Sequence, residues 1–137
     1  ELINTYDNTI RYTDYVVAEL TEHLKAYQDD YNVVLLYVSD HGESLGEGGL
    51  YLHGAPYMLA PSEQTKVPMM IWMSDGYADA NRIERDCLAA QAQTGRFSHD
   101  NLFSTVLGAM HVATGLYRPE TDIFAACRAP VIHAARR

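Results

Sequence analysis

The sequence has no run approaching the ~18 consecutive apolar residues that span a bilayer, so nothing in it reads as a transmembrane helix. No signal peptide opens it. Glu1 leads straight into a helical pattern, a start expected of a piece cut from a longer protein. Positive charge is scarce: 10 Lys and Arg stand against 18 Asp and Glu, for a formal charge of -8 and no basic stripe. That balance excludes a nucleic-acid footprint. Only two cysteines occur, Cys87 and Cys127, and neither belongs to a CxxC motif, which argues against a zinc knuckle or a thioredoxin-type site. The even count leaves two readings open, one disulfide or two separate reduced thiols. There is no internal repeat and no credible domain boundary, and 137 residues suit one domain with a core of its own.

What is present centres on one stretch. Val33-Val34-Leu35-Leu36-Tyr37-Val38 is apolar and rich in β-branched residues, with no polar alternation. It predicts a strand buried on both faces, the usual situation in the middle of a parallel sheet. Ser39-Asp40-His41-Gly42-Glu43-Ser44-Leu45-Gly46-Glu47 follows at its carboxyl end, where open α/β sheets collect their chemistry. Asp40 and His41 offer one hard oxygen and one borderline nitrogen, a pair that suits zinc better than magnesium or calcium. Five glycines (Gly42, Gly46, Gly48, Gly49 and Gly54) let the loop turn tightly and bring His53 back toward the strand end. The competing reading is a capping aspartate followed by a surface histidine.

Around this centre the pattern is that of a layered α/β fold. Leu2, Ile3, Tyr6, Ile10, Val17, Leu20 and Leu24 form one stripe of an amphipathic helix from Glu1 to about Tyr27, broken by Asp29-Asp30. Val67 to Met73 reads as a second core strand, with Pro68 confined to its first positions and Met69, Met70 and Met73 as core filler. Ser74-Asp75-Gly76 reads as a turn, followed by a short helix over Arg85 to Gln93. Ser98 is the expected N-cap of a second amphipathic helix whose stripe is Leu102, Phe103, Val106, Leu107 and Met110. His99 reads as a first-turn residue with catalysis as the lesser alternative; His23, His111 and His133 read as structural. Arg118 to Cys127 is expected to cross the domain as a loop, and Ala129 to Arg137 to form a tail.

Tyr37 to Glu47, followed by Tyr51-Leu52-His53-Gly54, resembles the periplasmic domain of the lipid A phosphoethanolamine transferases, a group that includes the mobile colistin-resistance enzymes. The likeness continues through Tyr6-Asp7-Asn8-Thr9, Ala60-Pro61-Ser62-Glu63-Gln64, Val67-Pro68, Ser98 to Phe103, Asp122-Ile123-Phe124 and Cys127-Arg128. The Ser-Asp-His-Gly-Glu core alone indicates the wider alkaline phosphatase and sulfatase superfamily.

The resemblance implies an α/β sandwich with a mainly parallel sheet and helices on both faces, of which residues 1–137 would be a C-terminal portion. It implies Asp40 and His41 as ligands of a catalytic zinc, with His53 and Glu43 at a second metal or at the substrate phosphate. The nucleophilic threonine, the glutamate ligand and the membrane helices of the family would lie upstream of Glu1, so a complementing N-terminal catalytic segment is implied. The activity implied is transfer of phosphoethanolamine from phosphatidylethanolamine to lipid A, at the bacterial inner membrane with the catalytic domain facing the periplasm, giving polymyxin resistance. That oxidising setting favours a Cys87–Cys127 disulfide over two thiols. Other readings are a sulfatase or phosphoglycerol transferase of the same superfamily, and a non-catalytic metal-binding module.

Overall fold

A computed structural model of the protein describes residues 1–95 and 97–130; His133 and most of the expected tail lie outside them. Helix α1 covers Leu2–Lys25, within a residue or two of the expected bounds. None of its residues is fully buried. Tyr6, Thr13, Val17, Thr21 and Leu24 form a half-buried seam at helical spacing, while Leu2, Ile3, Ile10 and Leu20 of the expected stripe stay exposed. A turn through residues 26–31, closed by the Tyr31 N–H on the Tyr27 carbonyl at 2.9 Å, leads to strand β1, Val34–Val38.

The chain divides into two compact units, one of Glu1–Gly76 and one beginning at Tyr77. In the first, β1 pairs with β4, Met69–Met73, from Val34 opposite Met73 to Val38 opposite Met69. The pairing is antiparallel, and β1 is half-buried along its length, not covered on both faces within a parallel sheet as its pattern predicts. A continuous apolar run reports how much surface a strand needs to cover; it carries nothing about the direction of the neighbouring strand, which depends on the path of the chain between them. Pro68 stands just ahead of β4, where it needs no ladder donor, and its carbonyl accepts the Ser39 N–H at 3.2 Å. Between the strands lie a short hairpin, β2 (Ser44–Leu45) with β3 (Tyr51–Leu52), and a single helical turn, α2 (Ser62–Thr65).

Asp75 opens helix α3, Asp75–Asn81, where the sequence predicts only a turn. Helix α4, Arg85–Thr94, matches expectation. The apolar core of the second unit is Tyr77, Ala78, Ile83, Ile123, Phe124 and Cys127. Helix α5, Asp100–Ala109, turns a different face inward from the one its apolar stripe predicts: Ser104, Thr105 and Gly108 are buried, while Phe103, Val106 and Met110 are exposed. The reason lies in the segment after it. Ile123 N–H donates to the Thr105 hydroxyl at 3.0 Å, Thr121 and Arg118 donate to the Ser104 hydroxyl, and a Cβ on Gly108 would run into the Asp122 carboxylate. Arg118 to Cys127 is therefore core rather than cover, built as two 3₁₀ turns (Pro119–Thr121 and Ala125–Cys127) around the buried Ile123 and Phe124. The N-cap of α5 is His99 and not Ser98 as expected. Ser98, one residue earlier, still braces the first turn, its hydroxyl accepting the Asp100 N–H at 3.2 Å while Asn101 Oδ1 accepts the Ser98 N–H at 2.9 Å. Among the described residues no helix is long and apolar enough to cross a membrane.

Candidate metal centre

The hairpin explains why residues ten apart meet. Ser44 pairs with Leu52 and Leu45 with Tyr51, so one step further along the register Glu43 stands opposite His53. The tight end of the hairpin uses Gly46 at φ 127° and Gly48 and Gly49 at φ 59° and 80°, conformations an L side chain resists. Leu52, beside His53, also holds a left-handed φ of 65°; non-glycine strain of this kind tends to gather at functional sites.

His53 Nδ1 donates to Glu43 Oε2 at 3.0 Å. His41 Nδ1 donates to the Gly42 carbonyl at 2.9 Å, and the two imidazole rings lie 3.8 Å apart between centroids. Each ring thus has Nδ1 engaged and its Nε2 lone pair left for a ligand, the arrangement that outer-shell acceptors impose on metal-binding histidines. Among the described residues, His41, Glu43 and His53 are the cluster of potential ligands, with one candidate atom from each lying within 4.8 Å of the others. Glu43 Oε1 is buried with no hydrogen-bond partner, an orphaned carboxylate oxygen beside two imidazoles. This donor set fits zinc. Asp40 stands apart from the cluster, its carboxylate 89 % exposed and its Oδ1 accepting the His41 N–H at 3.0 Å. Its Oδ2 lies 3.8 Å from His41 Nε2.

The sequence reading does not single out what holds the loop. Gly42 donates to the main-chain carbonyl of Gln64 at 3.0 Å, and a Cβ there would collide with the Glu63 carbonyl, so the position needs glycine for its closeness rather than for its φ. The Gln64 side chain donates to the buried Ser44 hydroxyl at 2.8 Å and accepts from Ala55 N–H at 3.3 Å. A buried glutamine in a polar stretch leaves no periodic signal. Glu47, exposed near the hairpin end, has its carboxyl held below the usual range by its own N–H and that of Leu45.

In the second unit, Cys87 and Cys127 form a disulfide, with Cα atoms 5.6 Å apart. His99 lies exposed ahead of α5. Asp122 is fully enclosed: Tyr117 donates to its Oδ2 at 2.8 Å, Phe124 N–H to its Oδ1 at 2.8 Å, and Arg128 Nη1 approaches at 3.4 Å. Burial first, and then the bond to Asp122, raises the Tyr117 phenol above the ordinary tyrosine range; burial likewise raises Tyr77.

Residues 1–112 match the family described as Sulfatase. The chain is 50% identical over 128 residues to the phosphoethanolamine transferase EptA of Escherichia coli K12, covering 93% of this chain and 23% of that protein. It is 52% identical over 71 residues to the phosphatidylethanolamine transferase Mcr-1 of Escherichia coli, covering 52% of this chain and 13% of Mcr-1. Two structures of lipooligosaccharide phosphoethanolamine transferase A from Neisseria meningitidis, of the soluble domain and of the integral membrane protein, are similar to it at a TM-score of 0.89 and 48% identity. They are matched over 94% of this chain and over 39% and 24% of their own lengths. The chain thus spans about a quarter of the length of the curated EptA it matches. The α/β fold expected from the sequence is that of these structures, the alkaline phosphatase/sulfatase-like fold. With most of its length matched, the chain belongs to the sulfatase family, and its relatives there are phosphoethanolamine transferases.

Proposed function

We propose that this chain is the C-terminal, metal-binding portion of the catalytic domain of a zinc-dependent phosphoethanolamine transferase. The donor would be phosphatidylethanolamine and the acceptor lipid A, giving polymyxin resistance, with the enzyme in the bacterial inner membrane and this domain facing the periplasm. The nucleophile and the remaining ligands would belong to an N-terminal segment that completes the site. The observation that carries the reading is the convergence of His41, Glu43 and His53 beside an orphaned carboxylate oxygen. The names and identities of the relatives support the reaction class.

In this reading Asp40 and His41 are zinc ligands, and Glu43 and His53 serve a second metal or grip the substrate phosphate. Zinc would supply Lewis-acid polarisation of the phosphate and a lowered hydroxyl pKa. Phosphoryl transfer relies on positioning and charge stabilisation more than on proton transfer, which suits a cluster of ligands with fixed geometry. Glu43, by accepting from His53 Nδ1, fixes the tautomer that presents Nε2 to a metal. Protonated at both nitrogens, His53 would instead donate to a phosphate or leaving oxygen.

The test is Asp40→Ala and His41→Ala in the complete enzyme. Both should lower bound zinc and cut transfer to lipid A by more than about 100-fold, the upper end of what loss of an outer-shell partner costs. Metal analysis and lipid A mass spectrometry read the outcome. Unchanged zinc and activity in Asp40→Ala would remove that residue from the site.

A further inference from the structure

We propose that Gln64 is the positioning residue of the metal centre: it holds both arms of the hairpin so that Glu43 meets His53, and zinc affinity depends on it. The inference rests on reading His41, Glu43 and His53 as a metal cluster. Gln64 touches neither the reacting groups nor a ligand atom; it acts through the backbone on either side of them. On the outgoing arm its main-chain carbonyl accepts the Gly42 N–H at 3.0 Å and its Nε2 donates to Ser44 Oγ at 2.8 Å. Gly42 and Ser44 are the two residues flanking Glu43. On the returning arm its Oε1 accepts the Ala55 N–H at 3.3 Å, two residues beyond His53. One side chain thus ties both arms to the single turn of α2.

The link stands where the arms share little else besides two cross-strand pairs and the Glu43–His53 bond. Gln64 and Ser44 are 8% and 1% exposed, and the hairpin has only two cross-strand pairs, with Tyr51 and Leu52 both exposed. With both side chains of β3 largely exposed, apolar burial contributes little to its register and hydrogen bonds carry more of it. Both polar ends of the Gln64 amide are used, and removing them would strand the buried Ser44 hydroxyl. A misplacement of the arms by a fraction of an ångström would separate Glu43 from His53 and weaken the grip on the ion.

The experiment is zinc titration of the metal-stripped complete enzyme, together with the visible spectrum of the cobalt-substituted form and thermal melting of the metal-free form. Gln64→Leu keeps the volume and removes both side-chain links; it should weaken zinc binding about 10- to 100-fold, as loss of an outer-shell partner does, and alter the cobalt spectrum. Ser44→Ala removes one link and should shift both readouts the same way by less. Gln64→Glu, which accepts from Ala55 N–H and from a rotated Ser44 hydroxyl, should recover much of the affinity. A merely structural glutamine would lower the melting temperature and leave the zinc constant and spectrum of the folded protein unchanged, and that result overturns the proposal. If Gln64→Leu does not fold, Ser44→Ala decides on the same terms. His53→Ala separates the two levels: if it leaves zinc binding unchanged, the metal reading of the cluster fails and the proposal with it. If it weakens zinc while Gln64→Leu does not, only the positioning role fails.

Discussion

In the first unit the buried side chains are Ser44, Gln64 and Ser74, all polar; in the second, Tyr77, Ala78, Ile83, Ile123, Phe124 and Cys127 form an apolar core beside the buried polar Asn81, Ser104, Thr105 and Asp122. The two regions are specified by different forces. Around the candidate cluster, order comes from directional bonds and one glycine contact, those of Gln64 to Gly42, Ser44 and Ala55; at the far end of β1 the Val33 N–H donates to the Ser74 hydroxyl at 3.1 Å. Beyond Tyr77, apolar packing is joined by a covalent cross-link and by a buried aspartate with three donors. Hydrogen bonds give angular accuracy and little net stability each, whereas burial gives stability with little directional demand. A ligand cluster needs the first and a scaffold the second.

The largest expected effect that separates the regions comes from the cross-link. Replacing both Cys87 and Cys127 with Ser should destabilise the second unit by about 4 kcal/mol on the chain-entropy estimate for a loop of this length. Zinc affinity should remain near that of the native protein. Calorimetry with a parallel zinc titration reads both; an unchanged melting temperature would mean that packing alone holds this unit.

A smaller effect with the opposite signature is expected at Gly42. An alanine Cβ there meets the Glu63 carbonyl, a backbone atom that cannot swing away, so Gly42→Ala should cost about 1–3 kcal/mol and weaken zinc binding with it. Gly115→Ala, where the added Cβ meets nothing within 4 Å, serves as the control and should stay within about 0.5 kcal/mol. Equal responses at the two glycines would break the claim that close backbone approach defines the loop.

The smallest effect is at Tyr117. Because burial and Asp122 raise its phenol, the neutral form is favoured in the folded state. Its contribution is therefore complete below the ordinary tyrosine value of about 10 and is lost as pH rises through the folded value. Tyr117→Phe should cost about 1 kcal/mol near neutrality and flatten the alkaline fall in melting temperature. Tyr77, also raised by burial, leaves a residual slope. An alkaline melting profile identical to that of the native protein would sink the assignment.

Much of the candidate site is legible without coordinates because its signals are local. A β-branched run ends at Asp40-His41, glycines follow at the positions that take positive φ, and His53 returns within the reach of a short hairpin. The helices α1 and α4 are likewise written in spacing and composition. Local signals fail in α5, whose apolar stripe points to one face while Ser104, Thr105 and Gly108 are the residues buried. Hydropathy counts transfer free energy, but that face is claimed by the backbone and side chains of residues 118–123, which need donors, acceptors and space.

By itself, the sequence determined the strand, the glycine-rich loop with its candidate ligands and the presence of a single cysteine pair, since propensity, glycine conformation and residue count are properties of neighbours or of composition. Tertiary structure alone decided that β1 and β4 run antiparallel, that Gln64 joins both arms of the hairpin, and that Asp122 is enclosed by Tyr117, Phe124 and Arg128. Strand direction and the Gln64 clamp depend on where the chain travels between segments 9 to 39 residues apart. The enclosure of Asp122 is close in sequence but is completed against α5, where Gly108 leaves room for it. Such contacts are selected by the whole fold's need to satisfy buried polar groups, a requirement that no local pattern records.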